Sequence, residues 1–386
     1  MMQSERLYYQ NQYMKSFYAC VLDCRKNGAK YEIVLNKTAF FPEGGGQPGD
    51  RGMIGEAQVT DTVEKNGEII HIANAPAEGT VFCAVDFENR FINMQRHSGE
   101  QIFSGWVHNL YGYENVGFHM SENEVTVDFS GPLSREQLEE IEEKTNKTIY
   151  DNIAIETLLP SSDELKNYEY RSKKEIEGQV RLVKIGNIDL CACCGTHVAR
   201  TGEIGIVKMT EFENYKGGVR VTLMIGKKAL LDYRERNKCI QGVSSLLCAK
   251  PLEIDSAAAK LKEKLSDEHQ KLVSLKYEYF KLLAKSAEGK TGLVFLDETF
   301  APDDARILAD IMQKKCAVAA VFAGSDETGY KYAVASQSTD VRSVADKMNK
   351  ALSGRGGGRD NMIMGSVNAS KEEINSFFLE GGALNE

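Results

Sequence analysis

The sequence predicts an α+β protein built in four parts: a small N-terminal β-barrel, a mixed α+β domain, a long coiled-coil-like helix and a C-terminal α/β domain. Three observations carry this. Short strand-like runs with regular turn signals fill residues 1–90. Apolar residues from Ile254 to Leu282 alternate spacings of four and three. Beyond Gly292, strand-like and helix-like runs alternate. The boundaries fall at 1–90, 91–248, 249–288 and 289–386.

In the first part, Phe17–Leu22 and Tyr31–Leu35 read as strands around Asn27-Gly28, and Val59–Val63 and Ile69–Ile72 as a hairpin around Asn66-Gly67. Val81–Val85 closes the set, and the Gly44-Gly45-Gly46 run is a loop between them. Residues 88–111 read as a helix, with Phe91, Met94, Ile102 and Val107 supplying apolar positions. A hairpin over Val116–Met120 and Glu124–Phe129 follows. Next comes a helix from Ser134 to Tyr150, where Ser134 and Gln137 make a capping box. Val180–Leu190 reads as a strand pair turned at Gly186-Asn187, and 205–210 and 218–225 return to strand.

Residues 227–248 are helical, and Pro251 opens the next helix. Its apolar seam covers about four heptads, interrupted at Glu268, and predicts homodimerisation through this segment. The last part reads as strand Leu293–Leu296, helix Asp303–Met312, strands Ala317–Phe322 and Tyr330–Ala335, helix Val341–Leu352, a loop over Gly354–Arg359 and a helix at Lys371–Leu379.

The 386 residues are 42% hydrophobic and 27% charged, ordinary for a globular chain. No apolar run is long enough to span a bilayer, and the N-terminus lacks a basic-then-apolar leader pattern. The expected location is therefore the cytoplasm, where the nine cysteines stay reduced. A formal charge of −9 argues against nucleic-acid binding through the whole surface but leaves room for local basic patches. Candidates are Arg171 with Lys173 and Lys174, and Lys347 with Lys350, Arg355 and Arg359. The glycine run ending at Arg359 lacks the lysine and Ser/Thr of a phosphate-binding NTPase loop. No Ser-His-Asp triad or nucleophile elbow is visible.

Two distant stretches carry the chemistry. One is Arg96-His97-Ser98-Gly99-Glu100-Gln101, and the other is Cys191-Ala192-Cys193-Cys194-Gly195-Thr196-His197. Each pairs donors at i and i+4. Neither holds zinc alone, since a zinc site needs three or four donors. Together, His97, Cys193 and His197 supply three, with Gln101 on the face of a fourth.

The run Cys193–Val198 followed by Thr201–Gly205 resembles the C-G-G-T-H-V…T-G-E-I-G signature of the alanyl-tRNA synthetase editing domain and of its free-standing AlaX-type relatives. Thr38–Gly52 resembles the same family's glycine-rich motif, and Gly354–Arg359 resembles the glycine-rich segment of the DHH-associated C-terminal domain. The family's upstream H-x-x-x-H reads here as His97-Ser98-Gly99-Glu100-Gln101, with glutamine in place of the second histidine.

The resemblance implies a trans-editing hydrolase that removes seryl or glycyl groups from mischarged alanine tRNA by a metal-activated water, with Zn2+ as cofactor. It implies His97, Gln101, Cys193 and His197 as the metal set, with Cys191 or Cys194 as alternative donors to Gln101. Thr38, Gln47 and Glu100 form the candidate catalytic set, with Thr38 at the place of a substrate hydroxyl. Gly44, Gly45 and Gly46, with Arg355 and Arg359, form the candidate substrate-binding set. The competing expectation, motivated by Gln101, is a binding protein that keeps the fold and has lost catalysis.

Overall fold

The computed structural model describes residues 4–172, 180–286, 292–359 and 361–379. The chain divides into two compact units, Met1–Val243 and Ser244–Glu386.

The barrel of the first unit is built from six strands: β1 (Ser16–Asn27), β2 (Lys30–Leu35), β3 (Gly52–Ile54), β4 (Ala57–Lys65), β5 (Glu68–Ala73) and β6 (Thr80–Val85). They close into a barrel in the order β1-β2-β5-β4-β3-β6. Alternation drives closure. Phe17, Ala19, Ile33, Leu35, Ile54, Val59 and Val85 point inward and form one core with Phe40. Asn66 and Gly67 both take positive φ, +53° and +78°, as the tight β4–β5 hairpin demands.

The barrel hands the chain to α1 (Phe87–Tyr111), whose Asp86 cap accepts from Asn89 N–H at 3.1 Å. Gly112 ends α1 with φ +68°. The sequence marks only four apolar positions in α1, but Asn93 through Gly105 are buried without a break. The reason is that its polar residues are spent inside, and its small residues admit neighbours. Gly99, for instance, faces Ile204, Val207 and Ile225 so closely that a β-carbon would not fit.

Around α1 lie β7 (Asn115–Met120), β8 (Val125–Phe129), α2 (Arg135–Tyr150), β9 (Ile155–Leu158), β10 (Leu182–Ile185), β11 (Asp189–Ala192), β12 (Val207–Tyr215) and β13 (Gly218–Ile225). The sheets run β12-β13-β8-β7 and β9-β10-β11. Both Ser134 capping-box bonds of α2 form. Strands β3 and β9 were not anticipated from the sequence; each is short and lacks a periodic apolar run. Arg90 of α1 and Asp50, near the end of the glycine-rich motif, form a fully buried ion pair. Arg90 also donates to the carbonyls of Ala39 at 2.5 Å and Gln12 at 3.1 Å, tying the barrel loop to the helix. Helix α3 (Lys227–Leu247) follows β13.

The second unit carries α4 (Ile254–Ser286), then β14 (Gly292–Leu296), α5 (Pro302–Met312), β15 (Ala319–Ser325), β16 (Gly329–Ala335), α6 (Arg342–Ala351), β17 (Arg355–Arg359), β18 (Met362–Val367) and α7 (Lys371–Leu379). The sheet order is β14-β15-β16-β18-β17, with β14 and β15 parallel and the rest antiparallel. Phe280 and Ala284 of α4 join α5 on one face, and α6 and α7 cover the other. Along α4, Leu261, Leu265, Leu272, Leu275 and Leu282 are exposed in the single chain.

The Gly354–Arg359 segment is not a loop. Residues Arg355–Arg359 form edge strand β17, paired with β18, a strand that sequence reading missed. Glycine normally weakens a strand. Here a β-carbon on Gly356 would run into the Tyr332 hydroxyl and the Met364 carbonyl, so the close approach requires glycine.

Candidate metal centre and active site

Three segments distant in sequence meet at one point in the first unit. Helix α1 supplies His97, the loop after β11 supplies Cys193 and His197, and the loop between β2 and β3 supplies Gln47. One potential ligand atom from each of His97, Cys193 and His197 lies within 4.8 Å of the others. The Cys193 Sγ is 3.4 Å from His97 Nε2 and 3.3 Å from His197 Nε2.

The far side of each ring is held. Gln47 Oε1 sits 3.0 Å from His97 Nδ1 and also accepts from Thr196 N–H at 3.1 Å, while Gln47 Nε2 donates to Thr196 Oγ1 at 2.8 Å. Both ends of the amide are thus assigned, and His97 must carry its proton on Nδ1, leaving the Nε2 lone pair toward Cys193. His197 Nδ1 pairs with Ser98 Oγ at 3.1 Å, which also accepts from Val198 N–H at 3.1 Å. Burial, then the neighbouring His97 and Arg181, disfavour a protonated His197 and hold it well below the ordinary histidine range. Two imidazoles and a thiolate turned to one point fit the donor chemistry of zinc.

The loop itself is gripped from the N-terminal segment. Tyr9 Oη donates to the Cys194 carbonyl at 3.1 Å, Gln12 Oε1 accepts from His197 N–H at 2.7 Å, and Tyr13 Oη accepts from Ala199 N–H at 2.7 Å. Arg181 donates to the carbonyls of Cys193 at 2.8 Å and Gly195 at 3.0 Å. Gly195 leaves space that no other residue could: its β-carbon would fall inside the His97 imidazole.

Beside the three donors opens a cavity of about 680 Å³. Gly45, Gly46, Glu100, Gln101, Phe118, Arg171, Cys191 and Cys194 line it together with His97 and Cys193. Gly46 has φ +83° and packs against Phe118 where a side chain would collide. Glu100 Oε1 accepts from Ser104 Oγ and Asn115 Nδ2, both at 2.5 Å.

The structure places the remaining candidates elsewhere. Thr38 does not face the cavity. It is fully buried beside the barrel core, where its hydroxyl lies 2.8 Å from His71 Nε2 and accepts from Phe40 N–H at 3.0 Å. Gln47 does not face it either, since its whole amide is spent on His97 and Thr196. Gly44 turns away into a bridge with Gln47. Arg171 is no surface patch: it is largely buried and paired with Asp189 at 2.7 Å. Lys173 and Lys174 lie outside the described residues. Arg355 and Arg359 belong to the second unit and are exposed there. Sequence reasoning missed Gln12, Tyr13 and Asp189 altogether, and gave Thr196 no role although it stands in the cysteine motif. Ser98 offered only the hint of following His97.

Three stretches of the chain match known families. Residues 4–86 match the class II (A) tRNA synthetases, 180–222 the threonyl and alanyl tRNA synthetase second additional domain, and 289–380 the DHHA1 domain. The alanyl-tRNA editing protein AlaX-L of Pyrococcus horikoshii is 31% identical, over 97% of this chain and 98% of its own length. This chain belongs to the alanyl-tRNA editing proteins. Alanyl-tRNA editing protein Aarsd1-A of Xenopus laevis is 26% identical over 89% of this chain and 87% of its own. The alanine–tRNA ligase of Pyrococcus abyssi is 28% identical over 97% of this chain but only 43% of its own length. As an editing protein, the chain thus corresponds to under half of that ligase. No helix among the described residues is long and apolar enough to cross a membrane.

Proposed function

We propose that the chain is a trans-editing hydrolase that deacylates Ser-tRNA(Ala) or Gly-tRNA(Ala). The observation that carries this is the convergence of His97, Cys193 and His197 beside a glycine-rimmed cavity, in a chain similar end to end to an alanyl-tRNA editing protein. Editing answers a chemical problem, because a synthetic pocket sized for alanine discriminates poorly against amino acids of similar size.

His97, Cys193 and His197 would hold Zn2+, with Gln101 as a further donor. A zinc ion there would supply Lewis acidity, lowering the pKa of a nearby water or polarising the ester carbonyl. The chain's own residues do the rest. The backbone of Gly45 and Gly46 approaches the aminoacyl group without β-carbons in the way. Glu100, on the cavity wall, takes the proton of the attacking water. Water adds to the ester carbonyl, the bond to the ribose oxygen breaks, that oxygen takes the proton back from Glu100, and the free amino acid leaves the regenerated tRNA. Arg355 and Arg359, four apart on exposed β17, share one strand face and are assigned to tRNA phosphates. The exposed leucines of α4 are assigned to a homodimer contact, and the working compartment to the cytoplasm.

The test is deacylation of both mischarged tRNAs with and without a chelator, alongside metal analysis of the purified protein. Cys193→Ala should lose metal and activity together. Activity that survives complete metal removal excludes the zinc reading. A metal-loaded protein that deacylates neither substrate supports the alternative, a non-catalytic tRNA-binding homologue, which Gln101 in place of histidine motivates.

A further inference from the structure

Gln101 lies one helical turn beyond His97 on the same face of α1, and both line the cavity. Its amide could be turned either way, and the two ends differ completely in what they offer a cation: the oxygen has lone pairs, and the NH2 group has none to give. The surroundings decide which end faces where. Gln101 Nε2 donates to Asp189 Oδ2 at 2.8 Å and lies 3.4 Å from the Val183 carbonyl. Asp189 is ion-paired to Arg171, whose Nε donates to Oδ1 at 2.7 Å. Burial works against the Arg171 charge, but the Asp189 carboxylate outweighs it and holds its pKa above the ordinary arginine value. An ionised carboxylate and a carbonyl are acceptors only, so the NH2 end is compelled to that side.

The other end is then left over. Gln101 Oε1 is buried and has no hydrogen-bond donor. A buried acceptor without a partner is costly, and the cost is removed if a cation takes its lone pair. The fold spends a further residue on this arrangement. Gly105, one turn on from Gln101, faces Asp189 so closely that a β-carbon would lie 2.9 Å from the Asp189 Cβ and 3.1 Å from the Ile188 carbonyl. Only glycine lets β11 bring the carboxylate against α1 at this level.

We infer that Asp189 is a positioning residue of the metal centre: held by Arg171, it orients the Gln101 amide so that its oxygen is offered as the fourth protein donor beside His97, Cys193 and His197. This rests on the reading of those three residues as metal ligands. The donor set becomes two imidazole nitrogens, a thiolate and an amide oxygen. The weaker oxygen donor leaves the ion more electrophilic than a third imidazole would. Replacing Gln101 by histidine should bring a stronger donor.

The experiment is Co2+ titration of the full-length apoprotein, followed by visible absorption, which reads the ligand set directly, with Zn2+ competition for affinity. Gln101→Ala and Asp189→Asn should each lower affinity 10–100-fold and alter the Co2+ spectrum. The double variant should be no weaker than Gln101→Ala, because Asp189 acts through Gln101. Gln101→His should bind more tightly than wild type with a distinct spectrum. An Asp189→Asn loss that persists in full in the Gln101→Ala background overturns the positioning role. An unchanged spectrum in Gln101→Ala overturns the inference outright. Both Gln101 variants keep the Arg171–Asp189 pair, so they decide the ligand assignment whether or not Asp189→Asn folds. A wild-type protein that takes up no Co2+ brings down the metal reading itself. Uptake that is lost in Cys193→Ala but unchanged in Gln101→Ala brings down only this inference.

Discussion

Gln47, on the loop leaving the barrel, and His97, in the middle of a helix, meet at 3.0 Å between Oε1 and Nδ1. This contact sets the proton on one ring nitrogen and frees the other. Gln47→Ala should therefore lower metal affinity by about 10–100-fold without removing a ligand. Competition against a chromophoric chelator measures it. Unchanged affinity would show that His97 keeps its orientation without Gln47.

The same barrel holds a second imidazole in a different role. His71 Nδ1 lies 2.9 Å from the Ile33 carbonyl, so the ring N–H points there, and Thr38 Oγ1 donates to Nε2. Thr38→Val leaves Nε2 and the Phe40 N–H without partners in the core. The expected cost is about 1–3 kcal/mol of stability in urea unfolding. Because the hydroxyl is spent on His71, Ser-tRNA and Gly-tRNA activities should fall by the same factor. A selective loss on the seryl substrate would return Thr38 to the substrate site.

Burial lowers the His71 pKa from 6.5 to about 4. Between these values the unfolded chain binds more protons than the native one, so stability rises with pH across the window. Stability should be intact above pH 6.5 and should fall as pH drops toward 4, by up to about 3 kcal/mol from this group. Urea midpoints across that range, compared with His71→Gln, would check it. An equal slope in both proteins assigns the pH dependence elsewhere.

Gly195→Ala should strip the metal centre while leaving the rest of the fold. Its methyl would occupy the His97 ring position, and displacing the ring costs about 1–3 kcal/mol. Metal content and far-UV circular dichroism, read together, separate local from global damage. Full metal content in this variant would contradict the packing.

The exposed leucines of α4 predict self-association. Sedimentation should give a dimer at micromolar concentration, and Leu261→Glu with Leu265→Glu should give a monomer. A wild-type monomer removes the proposal.

Local patterning made most elements legible. Alternation marked barrel strands β1, β2, β4, β5 and β6, the Ser134 box marked the start of α2, and the spacing of Cys193 and His197 marked the loop of the candidate metal site. These signals are local because each depends on backbone geometry within a few residues. What the sequence could not decide was which polar residues face each other across the fold. Thr38 and Gln47 sit in one motif and looked alike, yet the chain turns Thr38 onto His71 and Gln47 onto His97. Gln12 and Asp189 carry no local pattern, and Ser98 and Thr196 stand in the motifs with nothing there to mark their partners. Their roles exist only because the barrel, α1 and β11 are packed close enough for buried donors and acceptors to need each other, and a hydrogen bond of about 3 Å is set by tertiary packing rather than by spacing along the chain.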